Sequence, residues 1–105
     1  MDNEKYLTDF QIVAMAGDSR SKSMMAIKAA REGDFEKAEQ LLKAAEEGMN
    51  QAHNIQFQML QNEANGKPVD VTIVTVHGQD HMTMALVTHD LAAEIIALYK
   101  RIEEK

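Results

Sequence analysis

Two histidines four residues apart, with a carboxylate and an amide between them, stand in "VHGQDHMTM" at residues 76–84. On a helix His77 and His81 share one face, and Asp80 lies three residues from His77. Three chemistries suit that pattern. The first is plain packing, with the imidazoles as hydrogen-bonded core groups. His53 and His89 are read that way too, or as surface residues. The second is a metal site, because histidines at i and i+4 can bind zinc. The intervening "GQD" lacks the glutamate that acts as base in HExxH sites, and no second His/Glu pair recurs at ligand spacing. The third is a reactive imidazole. Neutral histidine is a competent nucleophile near neutral pH and can carry a phosphoryl group.

Two neighbours sharpen the choice. A glycine inside a helix costs about 1 kcal/mol relative to alanine. Gly78 therefore either opens room beside His77 for another protein or lets two helices pack closely. Asp80 falls on a helical stripe with Ile73, Val76, Thr83 and Val87, a lone carboxylate in an uncharged strip. If that strip packs on copies of itself, the carboxylates converge. Protonation or a shared hard cation such as Mg²⁺ must then offset their repulsion.

The elements that position these groups read as helices. Aromatic residues make up 5% of the 105-residue chain, Trp is absent, and Met occurs eight times beside abundant Ala, which favours packed helices over a β-sandwich. "REGDFE" supplies a glycine to end one helix and Asp34 to cap the next, and "NEANGKPVD" holds the only proline, Pro68. The segments between these marks are helices at about 4–31, 35–62 and 71–103 in a single domain spanning 1–105. In the first, Phe10, Val13, Met24 and Ile27 supply apolar positions, and "AGDSRSKS" has poor helix propensity, leaving room for a break. In the second, Phe35, Ala38, Leu42, Ala45, Met49, Ala52 and Met59 repeat at three-then-four spacing, with Leu41 and Ile55 widening the stripe. The third opens with "VDVTIVTV", a strand by propensity alone. A three-four seam through Val74, His77, His81, Met84, Thr88, Leu91, Ile95, Leu98 and Ile102 outweighs that propensity and predicts a helix, or a short extended entry into one. The fold class is all-α, an antiparallel three-helix bundle.

Charge and composition narrow the partners. The formal net charge of −6 and the absence of any Lys/Arg cluster disfavour nucleic acid and anionic membranes. With no cysteine there is no disulfide framework, thiolate site or thiol nucleophile. A start charged from Asp2 onward is wrong for a secretory signal, and no apolar run approaches the roughly 20 residues of a membrane span, so a cytoplasmic location is expected.

"VHGQDHMTMALVTHDLAAEIIALYKRI" resembles the signature of the lactose/cellobiose-type enzyme IIA components of the bacterial phosphotransferase system, typically V-H-A-Q-D-H-L-M-T followed by E-I-I-x-L-Y-K. "AGDSRSKSMMAIKAAREGDFEKAEQLL" is similar to that family's A-G-N-A-R-S segment and its G-D-F, and "NQAHNIQ" to a third stretch. The resemblance implies a three-helix bundle assembled as a homotrimer. Its role would be a phosphoryl carrier that accepts from phosphohistidine on HPr and donates to a cysteine of the IIB component. By the same resemblance His77 carries the phosphoryl group and Gln79 and His81 orient or neutralise it. Asp80 holds a divalent metal, expected to be Mg²⁺, on the trimer axis. Lactose, cellobiose, chitobiose and other β-linked disaccharides all suit it. The chain departs from the pattern at Gly78, at Thr83 (shifted by one place), and at Asp18 and Ser19. Two other readings stay open: a non-catalytic helical module binding a metal or a partner, and a regulatory relative of the carrier.

Overall fold

The computed structural model describes residues 6–104. The start of the first expected helix, before Tyr6, lies outside them. Three helices follow in order: α1 Leu7–Arg31, α2 Phe35–Ala64 and α3 Ile73–Glu103. No strand occurs among the described residues. The molecule is elongated, 56 × 27 × 18 Å, as antiparallel helices of this length require.

Both connections are built by the residues that mark them. At the end of α1 the Gly33 N–H bonds to the Ala30 carbonyl at 3.0 Å and the Asp34 N–H to that of Ala29 at 2.9 Å. This Schellman pattern needs the positive φ of 84° that glycine supplies. Asp34 then caps α2, its Oδ1 accepting from the Lys37 N–H at 3.1 Å. Gly66, with φ 82°, repeats the device after α2: Gly66 and Lys67 bond back to the carbonyls of Glu63 and Asn62.

"VDVTIVTV" divides between the two expectations. Val71 precedes the helix, and Thr72 is the extended N-cap (φ −119°, ψ 176°) of α3, closing a capping box with Thr75. From Ile73 onward the β-branched residues are helical, because the helical seam that continues them is buried against α1 and α2.

That seam is not the expected one. Buried residues of α3 are Thr75, Gly78, Met82, Ala85, Ala92 and Ile96, one place further along than the seam through His77 and Leu91. An offset of one place in the other direction holds in α1. Its buried stripe is Asp9, Ile12, Ala16, Ser19, Ser23, Ala26 and Ala30, while Phe10 and Met24 are exposed. The helices approach closely on small side chains. This explains why α1 runs unbroken through "AGDSRSKS": Ser19 and Ser23 face inward, and Ser19 Oγ donates to the Ala45 carbonyl of α2 at 2.6 Å. Tertiary packing overrides the poor propensity there. In α2 the expected stripe is the one that packs, with Ala38, Ala45, Met49 and Ala52 buried.

Larger side chains gather towards the two ends of the bundle. Ile96 and Phe35 join the alanines of α1 at one end, and Ile12, Met49 and Met82 meet at the other. α1 packs against both other helices, whereas α2 and α3 touch much less.

α3 is long and apolar enough to cross a membrane by length and composition alone. The expectation that no such stretch exists overlooked it, since His, Asp and Thr interrupt every visible run. The helix is apolar on two opposite faces. One is buried in the bundle. The other exposes Ile73 (81%), Val87, Leu91, Leu98 and Ile102.

Candidate functional site: a paired-histidine turn at the start of α3

His77 and His81 stand one turn apart near the start of α3, as the four-residue spacing demands. Their ring centroids are 4.6 Å apart and the planes meet at 84°, an edge-to-face pair. His77 is exposed and His81 half-buried. The His81 Nδ1 is buried without a hydrogen-bond partner among the described residues. The pair therefore offers one open imidazole, with a second ring fixed against it that holds a hydrogen-bonding atom in reserve.

Gln79 does not join the pair. At about 100° per residue, two positions carry it to nearly the opposite side of the helix from His77. There it faces α2, and Gln56 Nε2 donates to its Oε1 at 2.5 Å. Thr83, the residue displaced from the family pattern, donates its hydroxyl to the Gln79 backbone carbonyl at 3.2 Å. Asp80 is exposed, and the neighbouring side chains on its face are those of the outer apolar stripe. Among the described residues no three His, Cys, Asp or Glu side chains converge to hold a metal within one chain. A zinc site on His77 and His81 thus lacks a third ligand there.

The remaining histidines are elsewhere. His89 lies about 18 Å further along α3, and its Nδ1 sits 3.2 Å from Asp90 Oδ1. His53 lines a groove of about 360 Å³ between α2 and α3 with Gln56, Met82 and Leu86.

Gly78 resolves in favour of packing. It is buried against α1, where a methyl carbon in place of its hydrogen would lie 3.3 Å from the Asp9 carbonyl oxygen and 3.7 Å from Ile12 Cγ2. It opens no space beside His77.

Three residues near the pair had not been singled out: Gln56, Thr75 and Asp9. Thr75 Oγ1 donates to Asp9 Oδ2 at 3.1 Å. Asp9 precedes Ile12, Ala16, Ser19 and Ser23 at three-four spacing, so its place in the buried stripe could be read from the sequence once small residues are counted as core.

The sequence matches the family described as the PTS system lactose/cellobiose-specific IIA subunit over residues 7–100. It is 43% identical, over all of its length and 96% of the relative's, to the lichenan-specific phosphotransferase enzyme IIA component of Bacillus subtilis (strain 168). It is also 43% identical to the lactose-specific EIIA component of a Staphylococcus epidermidis strain, covering 94% of this chain and 95% of that one. Among solved structures, the cellobiose-specific enzyme IIA of Bacillus anthracis superposes with a TM-score of 0.96 at 34% identity, covering 100% of this chain and 96% of that one. An IIA(chitobiose) chain, solved in complex with HPr from the N,N'-diacetylchitobiose branch of the Escherichia coli system, gives 0.83 at 25% identity, covering 97% and 99%. The chain belongs to the lactose/cellobiose-specific IIA family of the sugar phosphotransferase system.

Proposed function

We propose that this protein carries a phosphoryl group on His77, taken from phosphohistidine on HPr and passed to a cysteine of a IIB component. The observation that carries the reading is the exposed His77 ring braced edge-on by His81 on a rigid helix. In the first step a ring nitrogen lone pair of neutral His77 forms the new P–N bond as the P–N bond of the donor breaks in line. In the second, the thiolate of the acceptor forms a P–S bond and His77 leaves. Such transfers need positioning and charge stabilisation more than covalent help from the protein. His81 is suited to supply a hydrogen bond to a phosphoryl oxygen. Gln79, on the α2 side, acts with less direct access. The HPr complex formed by the chitobiose relative supports the donor assignment.

We further propose that three copies associate through the outer face of α3. Exposed Ile73, Val76, Val87, Leu91 and Leu98 would be covered in this way. Asp80 fits a shared hard cation there, being an oxygen donor on an otherwise apolar strip, and Mg²⁺ would offset the charge of the converging carboxylates. A cytoplasmic location and a β-linked disaccharide as the transported sugar go with this role, in keeping with relatives named for lichenan and lactose. The test is incubation with phosphoenolpyruvate, enzyme I and HPr. An acid-labile gain of one phosphoryl group per chain by intact mass is expected, and no gain with the relay active on a control would overturn the reading.

A further inference from the structure

We propose that Asp9 is a positioning residue for His77, acting through Thr75 to fix the first turns of α3; the proposal rests on the carrier role above. Asp9 is the buried carboxylate of α1, 6% exposed. A buried charge is unfavourable unless hydrogen-bonded, and Thr75 Oγ1 supplies the bond at 3.1 Å. Thr75 is the third residue of α3, two before His77. Its hydroxyl oxygen also accepts the Thr72 N–H at 3.2 Å and lies 3.0 Å from the Asp70 carbonyl oxygen. With its single proton given to Asp9 and its oxygen accepting from Thr72, the Thr75 side chain therefore ties the helix cap to α1. The carboxylate further faces the first turn of α3, where the helix dipole favours an anion.

The grip is two-sided. The Asp9 backbone carbonyl lies directly beneath Gly78, close enough that an added methyl would be 3.3 Å away. α1 thus holds α3 at Thr75 and Gly78, the buried residues on either side of His77 in sequence, while the His77 ring points outward. Helix ends otherwise fray, and a loosened first turn would spread the ring over many directions. Transfer rates are sensitive to such misplacement, because only aligned encounters react.

Steady-state phosphoryl uptake from phospho-HPr, paired with amide hydrogen exchange at residues 73–78 of the unphosphorylated protein, tests this. Asp9→Ala and the near-isosteric Thr75→Val are expected to lower kcat about tenfold with KM for HPr unchanged. The double variant should be no worse than either single one, since both break the same bond. Thr75→Ser and Asp9→Asn keep a donor and an acceptor and should retain wild-type kcat. Wild-type kcat in Asp9→Ala, a loss confined to KM, or additive losses in the double variant would each overturn the proposal. If the wild type itself takes no phosphoryl group, the carrier role fails, and exchange still decides the positioning role. Faster exchange at Thr75–Gly78 in folded Thr75→Val supports it, and unchanged exchange overturns it.

Discussion

Gly78 lies so close over Asp9 that a methyl group on it would stand 3.3 Å from the Asp9 carbonyl oxygen. Helix α3 thus crosses α1 at the residue next to His77 with no side chain between the backbones. Replacing Gly78 by alanine adds helix propensity worth about 1 kcal/mol but pushes α1 away by a few tenths of an ångström. The two effects nearly cancel, so Gly78→Ala should change unfolding free energy by less than about 1 kcal/mol. Gly78→Leu has no space and should lose about 3 kcal/mol or more. Chemical denaturation of the two variants checks both figures.

Two buried serines of α1 should respond in opposite directions. Ser19 Oγ donates to Ala45 O at 2.6 Å, so Ser19→Ala should lose about 1 kcal/mol. Ser23 Oγ is equally buried but has no partner among the described residues. Ser23→Ala removes an unsatisfied polar atom and should gain about 1 kcal/mol. Thermal unfolding of the pair under one buffer condition reads the sign directly.

The outer face of α3 supplies a prediction about assembly. Leu91 is 56% exposed and Val87 50% exposed in the single chain. Leu91→Glu places a charge on that face and should yield monomers by sedimentation under conditions in which the wild type is expected to sediment as a trimer. A wild type that sediments as a monomer would overturn the proposed assembly.

Asp80 should tie that assembly to a divalent cation. Added Mg²⁺ is expected to raise the melting temperature of the wild type and a chelator to lower it. Asp80→Asn removes the repulsion and should melt at one temperature under both conditions. A wild type indifferent to Mg²⁺ and chelator would remove the basis for the shared cation.

How far the sequence alone predicts this molecule depends on side-chain size. Turn residues behave as their chemistry dictates: Gly33 and Gly66 take positive φ and Asp34 caps α2. The three-four spacing of α2 identifies its packed face, because Met49 and Leu42 lie on the same side as the alanines. In α1 and α3 the large apolar residues mislead. Phe10, Met24, Leu91 and Leu98 mark a stripe that is exposed in one chain, while the core runs one residue over through Ser19, Gly78 and Ala85. A helix apolar on two faces has two seams, and hydrophobicity alone cannot say which one belongs to the bundle. The four-residue spacing of His77 and His81 places them together from sequence. The bond from Gln56 to Gln79 and the Asp9–Thr75 clasp join residues far apart in the chain, so only the packing of the helices reveals them.

The most direct test of the carrier role is to locate the phosphoryl group. Protein phosphorylated by phospho-HPr should show, by phosphorus–proton NMR correlation, a single phosphohistidine whose signals vanish in His77→Ala and persist in His53→Ala and His89→Ala. A phosphohistidine that remains in His77→Ala, or that maps to His53 or His89, would contradict the assignment.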